Sequence, residues 1–138
     1  YIKCPYGEKI YQIWYNQENA MQFDIIYYEA LKGRQYAKEF LDELEQINSN
    51  LYDAAIGLIT GLEDSQYHCP PTSKPLKGGL FELKCSFGNN TCRINWCKGG
   101  QRKVYLLNGY IKKGASKQQR EIKKARKLMQ ELKIRRLI

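Results

Sequence analysis

The chain has 138 residues, enough for one domain and little more. It is 43% hydrophobic, which supports a single core, and no apolar run approaches the ~18 residues of a membrane-spanning helix. Charge is segregated: residues 1–83 carry 7 Lys/Arg against 12 Asp/Glu (net −5), and residues 84–138 carry 16 against 2 (net +14). Positive charge so concentrated repels itself unless an anion relieves it. It therefore implies one anion-seeking face, with polyphosphate as the natural partner.

Residues 1–22 are aromatic (Tyr1, Tyr6, Tyr11, Trp14, Tyr15) and include a Pro-Tyr-Gly turn, with residues 10–15 suited to a strand or to packing onto the domain. They are expected to form an N-terminal extension to a domain at 23–138. They lack a basic stretch followed by an apolar one, so a cytoplasmic protein is expected. The five cysteines (Cys4, Cys69, Cys85, Cys92, Cys97) are odd in number and read as reduced thiols, several buried in strands. The alternative, a zinc site drawn from His68 and these cysteines, lacks any C-x-x-C spacing. His68 is expected on the surface or in a loop.

The stretch Phe23-Asp-Ile-Ile-Tyr-Tyr28 is β-branched and aromatic and reads as a strand, ended by Lys32-Gly33. From Arg34 to Ile47 the period becomes helical, with Tyr36, Ala37, Phe40, Leu41, Leu44 and Ile47 on one stripe. Asn48-Ser-Asn50 breaks and caps. A second helix then carries Leu51, Ala54, Ala55, Leu58, Ile59 and Leu62 on one face, and the short joint makes an antiparallel helical hairpin. Three prolines mark residues 69–75 as a loop without regular structure. Two alternating strands follow, at 80–86 and 92–97, with a turn at Phe87-Gly-Asn-Asn90, and an apolar strand begins at Lys103. The last element is a helix with an apolar stripe (Ile122, Ala125, Leu128, Met129, Leu132), a strongly basic remainder, and a Ser116/Gln119 capping box at its start. The expected class is α+β: strand, helical hairpin, three-stranded antiparallel meander and C-terminal helix, a small sheet packed on helices.

Centring the turn at 87–90 pairs residues whose numbers sum to about 177. Lys84 then faces Arg93, Glu82 faces Asn95, and Cys85 faces Cys92. Like charges directly opposite destabilise a sheet, so Lys84 and Arg93 suit a site where an anion sits between them. The alternative is two solvated cations that splay apart. The next strand ends in Asn108-Gly-Tyr-Ile-Lys-Lys113, which brings Tyr110, Lys112 and Lys113 to the start of the basic helix. Tyr110 is placed to stack on a base or else to serve as a core aromatic. Asn95, Asn108, Lys117, Arg120 and Lys124 are the further candidates for RNA contact.

Such a set suits metal-independent RNA cleavage. The ribose 2′-OH attacks the neighbouring phosphate, and fixed cations stabilise the charge that develops. A cation-crowded lysine is the candidate base, and Tyr110 or another cation the candidate acid. No paired-carboxylate site, nucleotide loop or Ser-His-Asp set is visible in the basic half, so neither a metal nor another cofactor is expected.

The segments Phe23–Tyr28, Gly79-Leu-Phe-Glu-Leu-Lys84, Cys92-Arg-Ile94 and Leu106-Leu-Asn-Gly-Tyr-Ile-Lys-Lys113, followed by Glu121-Ile122, resemble the HigB branch of the RelE/ParE toxin superfamily, closest to its phage-derived members. The resemblance spans about residues 23–130. It implies a RelE-like fold, mRNA interferase activity (often on the ribosome) that inhibits translation, and neutralisation by a helix-turn-helix antitoxin of the HigA type. By position it puts the family's strand arginines at Lys84 and Arg93 and its lysine pair at Lys112 and Lys113. Members often have His where this chain has Asn108. Two other functions fit the same pattern: a ParE-like toxin that poisons gyrase, and a non-catalytic RNA- or ribosome-binding protein.

Overall fold

The computed structural model describes residues 22–138. The N-terminal extension, including the candidate strand at 10–15, therefore lies outside the described residues except for Gln22, which bridges to Asp64. In chain order the elements are β1 (Asp24–Tyr27), α1 (Tyr36–Ile47), α2 (Ser49–Gly61), a short 3₁₀ turn at Ser65–Tyr67, β2 (Ser73–Pro75), β3 (Leu80–Phe87), β4 (Asn90–Gly99), β5 (Lys103–Ile111) and α3 (Ala115–Ile134). The class is α+β as the sequence implies, with a mixed five-stranded sheet ordered β1-β5-β4-β3-β2. β1 runs parallel to β5, pairing Asp24 with Lys103 through Tyr27 with Leu106. The β3–β4–β5 meander is antiparallel.

Period-2 patterning gives the sheet two faces. The first, with Leu83, Cys85, Cys92, Ile94, Trp96 and Leu106, packs under the α1–α2 hairpin through Ala37, Leu41, Leu44, Leu51, Ala55 and Ile59. Asn48 caps α2 by accepting the Leu51 amide at 3.1 Å. On the second face α3 presses Ala125, Leu128, Met129 and Leu132 against Leu80, Cys97, Tyr105 and Leu107. Its last two-thirds thus cover an apolar half-face, and its first turns overhang a polar one.

Three local expectations differ from what is seen. Residues 73–75 form an edge strand despite the prolines, because Pro75 ends the strand on the sheet's rim, where a missing N–H costs least. The Ser116 cap is not made: α3 begins at Ala115 after Gly114, at φ 128°, with no side-chain cap, so Ser116 lies inside the first turn. His68 is buried. Its Nε2 is 2.6 Å from the Leu62 carbonyl, and its ring packs against Phe23 and Trp96 at 4.6 and 4.9 Å.

Burial holds the His68 pKa down at about 4, below its usual 6.5. From pH 6.5 to pH 4 the unfolded chain binds a proton that the folded chain refuses, so stability falls as the pH drops through that window, by up to roughly 3 kcal/mol. Urea titrations across this range should show the slope in the native chain and lose most of it in His68→Gln. An unchanged slope in the variant would assign it to other groups.

Candidate functional site

A β-bulge builds the polar half-face. Asn95 pairs with Asn108 but Trp96 pairs with Leu106, which leaves Leu107 as the extra residue on β5. Strict alternation would turn Asn108 and Tyr110 toward the helical hairpin. The bulge turns them instead toward α3, on the same face as Leu107. Gly109 then points at the hairpin, where an added Cβ would lie 2.5 Å from the Phe40 ring and 2.8 Å from Ile94.

Two rows of three residues result. Lys84, Arg93 and Tyr110 are successive partners across β3, β4 and β5, and Glu82, Asn95 and Asn108 form the row beside them. The pairing of Lys84 with Arg93 and of Glu82 with Asn95 is the register the sequence implies. Its electrostatics are not those of two facing cations. Arg93 (8% exposed) leans diagonally to Glu82 (3% exposed) and donates from Nη1 to Oε1 at 2.7 Å. The other Glu82 oxygen accepts from Gln118 of α3 at 3.3 Å. The Arg93 Nε is buried without a hydrogen-bond partner among the described residues. Lys84 is exposed and shares an open cleft of about 250 Å³ with Lys74, Glu82 and Arg93.

Tyr110 is 2% exposed, so its ring offers no face for a base, and its hydroxyl has no partner among the described residues. Burial pushes its pKa up to about 12, with Glu82 and Glu121 adding to the rise and Arg93 opposing it. Asn95 and Asn108 are also buried. Asn95 donates to Asn108 at 3.2 Å, and Asn108 donates to the Glu121 carbonyl at 3.0 Å, so the pair ties the meander to α3 and does not face solvent. Lys113 and Lys117 line a second groove, between α1 and the start of α3, that Tyr110 and Glu121 also border. Lys112 and Arg120 are exposed beside it. Lys124 lies apart from both grooves, with Nζ 4.0 Å above the Tyr36 ring. The structure therefore gathers Lys84, Arg93 and Tyr110 in one row, sets Lys113 and Lys117 next to it, and separates Lys124 from them.

The start of α3 has no acidic residue in its first turn and no side-chain cap. Lys112, Lys113, Lys117 and Arg120 crowd the end of a helix whose own dipole is positive there, an unfavourable arrangement that an anion would relieve. Cations on both sides of the overhang and a buried guanidinium beneath it suit a phosphodiester running along the cleft. Among the described residues, no three His, Cys, Asp or Glu side chains come together as a metal-binding group.

Residues 39–130, from α1 through most of α3, match the family model described as "Phage derived protein Gp49-like (DUF891)". The chain belongs to this Gp49-like family. The family is of the RelE toxin-like kind, in agreement with the fold. The matched stretch of the Gp49-like chain contains both polar rows and the second groove and leaves out β1. A comparison with curated proteins found no match. No helix of the described residues is long and apolar enough to cross a membrane.

Sequence reasoning missed Glu82, Lys74 and Gln118. Glu82 was legible, because the register that pairs it with Asn95 also sets it diagonal to Arg93. Lys74 faces Glu82 only through the proline-flanked β2, and Gln118 reaches the site only through the overhang of α3.

Proposed function

We propose that the chain is the toxin of a type II toxin–antitoxin pair, of the HigB kind, and that it cleaves mRNA without a metal ion. The observation that carries this reading is the row Lys84–Arg93–Tyr110 with Glu82 locked to Arg93. A fixed guanidinium, a flexible ammonium and a carboxylate line one cleft, and the protonated phenol of Tyr110 lies buried beside Arg93 in the same row. In the proposed reaction the 2′-oxygen bonds to the adjacent phosphorus while the bond to the 5′-oxygen breaks. Glu82, released from Gln118, accepts the 2′-OH proton, and Tyr110 supplies one to the departing 5′-oxygen. Arg93 and Lys84 stabilise the charge that grows on the phosphoryl oxygens. The sequence points to a lysine as base. Lys84, Lys112 and Lys113 are exposed and are better suited to gripping flanking phosphates, whereas Glu82 sits at the cleft floor. The proposed partners are mRNA, engaged on the ribosome, and a helix-turn-helix antitoxin.

The test uses the purified chain with a synthetic mRNA, with and without ribosomes, in buffer containing EDTA. Cleavage leaving 2′,3′-cyclic phosphate and 5′-hydroxyl ends is expected in EDTA. RNA that is bound but left intact under every condition would overturn the nuclease reading in favour of a non-catalytic binder.

A further inference from the structure

Large aliphatic side chains normally leave water when a protein folds. Leu31 and Ile134, at 89% and 72% exposed, are the most exposed of them among the described residues. They lie at one place. Both line an open groove of about 380 Å³ between the loop after β1 and the last turns of α3, with Ala30 and the Tyr36 ring also lining it. Leu31 is held outward by a hydrogen-bonded turn, since the Ala30 amide donates to the Arg34 carbonyl and the Gly33 amide to the Ala30 carbonyl, each at 2.8 Å. Gly33, at φ 90°, supplies a conformation that side-chain-bearing residues disfavour. A preformed apolar groove of this kind suits the insertion of a partner's side chains.

Charge says what kind of partner. Lys32, Arg34 and Arg135 surround the apolar floor. Of the nearby carboxylates, Glu39 is engaged by Arg34 at 2.6 Å and Glu131 by the Tyr28 hydroxyl, while Glu29 is exposed just ahead of the loop. Arg135 donates from Nη1 to the Glu29 carbonyl at 2.9 Å, while its Nη2 is buried without a partner among the described residues. The groove's own lining thus carries three cations against one carboxylate, Glu131, around an apolar centre. We propose that this groove docks an acidic, leucine- or isoleucine-bearing segment of a partner protein, its aliphatic side chains covering Leu31 and Ile134 and its carboxylates meeting Lys32 and Arg135. The groove is built on Glu131 and Ile134 at the end of α3 and on its cap Arg135, and the cleft is overhung by residues 118–121. Ten or more residues of helix separate them, about 15–20 Å at 1.5 Å per residue. A partner anchored here leaves the cleft unplugged, and the proposal stands whether or not the cleft cuts RNA.

The probe is a synthetic amphipathic peptide with a leucine stripe flanked by glutamates, added to the full isotopically labelled chain and followed by NMR. Perturbations centred on Leu31, Tyr36 and Ile134 are expected. A lysine-flanked peptide should bind at least tenfold more weakly, and so should the glutamate peptide to Leu31→Glu/Ile134→Glu. That variant changes only exposed side chains and should melt like the native chain. If it does not fold, Leu31→Ser read in the same way replaces it. The proposal is overturned if the peptide perturbs other surfaces, or if a single-stranded oligonucleotide displaces it from the groove. It is likewise overturned if the groove is closed to the peptide by residues 1–21 or by a second copy of the chain, which sedimentation would show.

Discussion

Arg93→Ala is expected to lower RNA cleavage by roughly 10²–10³-fold, the usual consequence of removing one preorganised donor from a developing oxyanion. It should also destabilise the fold by about 3–5 kcal/mol, because it strands the Glu82 carboxylate in the interior without its counter-ion. The loss of function would then have two causes, and the single variant could not tell them apart. Glu82→Gln/Arg93→Ala isolates the stability half, although it also removes the proposed base and so tests the cleft as a whole, not Arg93 alone. With the buried charge gone, most of the stability should return, while cleavage stays absent. Urea denaturation and a single-turnover cleavage assay on the native chain and the two variants check both halves. If Arg93→Ala is as stable as the native chain, the buried pair is not what holds this corner together. If it cleaves at the native rate, the cleft is not the reaction centre.

Tyr110→Phe should move activity and stability in opposite directions. Its hydroxyl is buried and unpartnered among the described residues, and a polar group in that position costs stability. Removing the oxygen is therefore expected to leave the fold unchanged or more stable by about 1 kcal/mol. If the hydroxyl supplies the proton for the leaving oxygen, cleavage should fall roughly 10²-fold or more. A core aromatic with no chemical role would show the stability gain with full activity, and that result would remove Tyr110 from the mechanism. With the phenol pKa near 12, the native rate should show no loss attributable to Tyr110 ionisation at any pH below about 11.

Much of the fold was readable because it follows from periods and turns. A period of 3.6 marked α1 and α2, the short joint at Asn48 closed their hairpin, and the Gly88–Asn89 turn set the β3–β4 register. Other features depend on contacts that no local pattern encodes. The bulge at Leu107 occurs within a continuous apolar run, where alternation gives no signal, yet it decides which way Asn108 and Tyr110 face. β2 contradicts its prolines because an edge strand tolerates them. At the site, cations were legible and their partners were not. Division of the chain by charge placed Glu82 in the acidic half, although its strand carries it into the basic one. The same blindness made buried asparagines look like RNA contacts, since residue type alone does not tell a stitched amide from an exposed one.

The parallel pairing of β1 with β5 also affects how the chain emerges during synthesis. Residues 24–27 are made early but have no strand to join until residues 103–106 appear. At 5–20 residues per second that wait is about 4–16 s, and α3, which covers the second face, comes later still. The meander and helical hairpin can assemble from neighbouring segments, whereas the sheet's parallel edge and the roof over the cleft close only as β5 and α3 arrive. Contacts so distant in sequence also slow folding after release. A complete cleft is therefore withheld from the nascent chain until α3 has been made and has folded over the sheet.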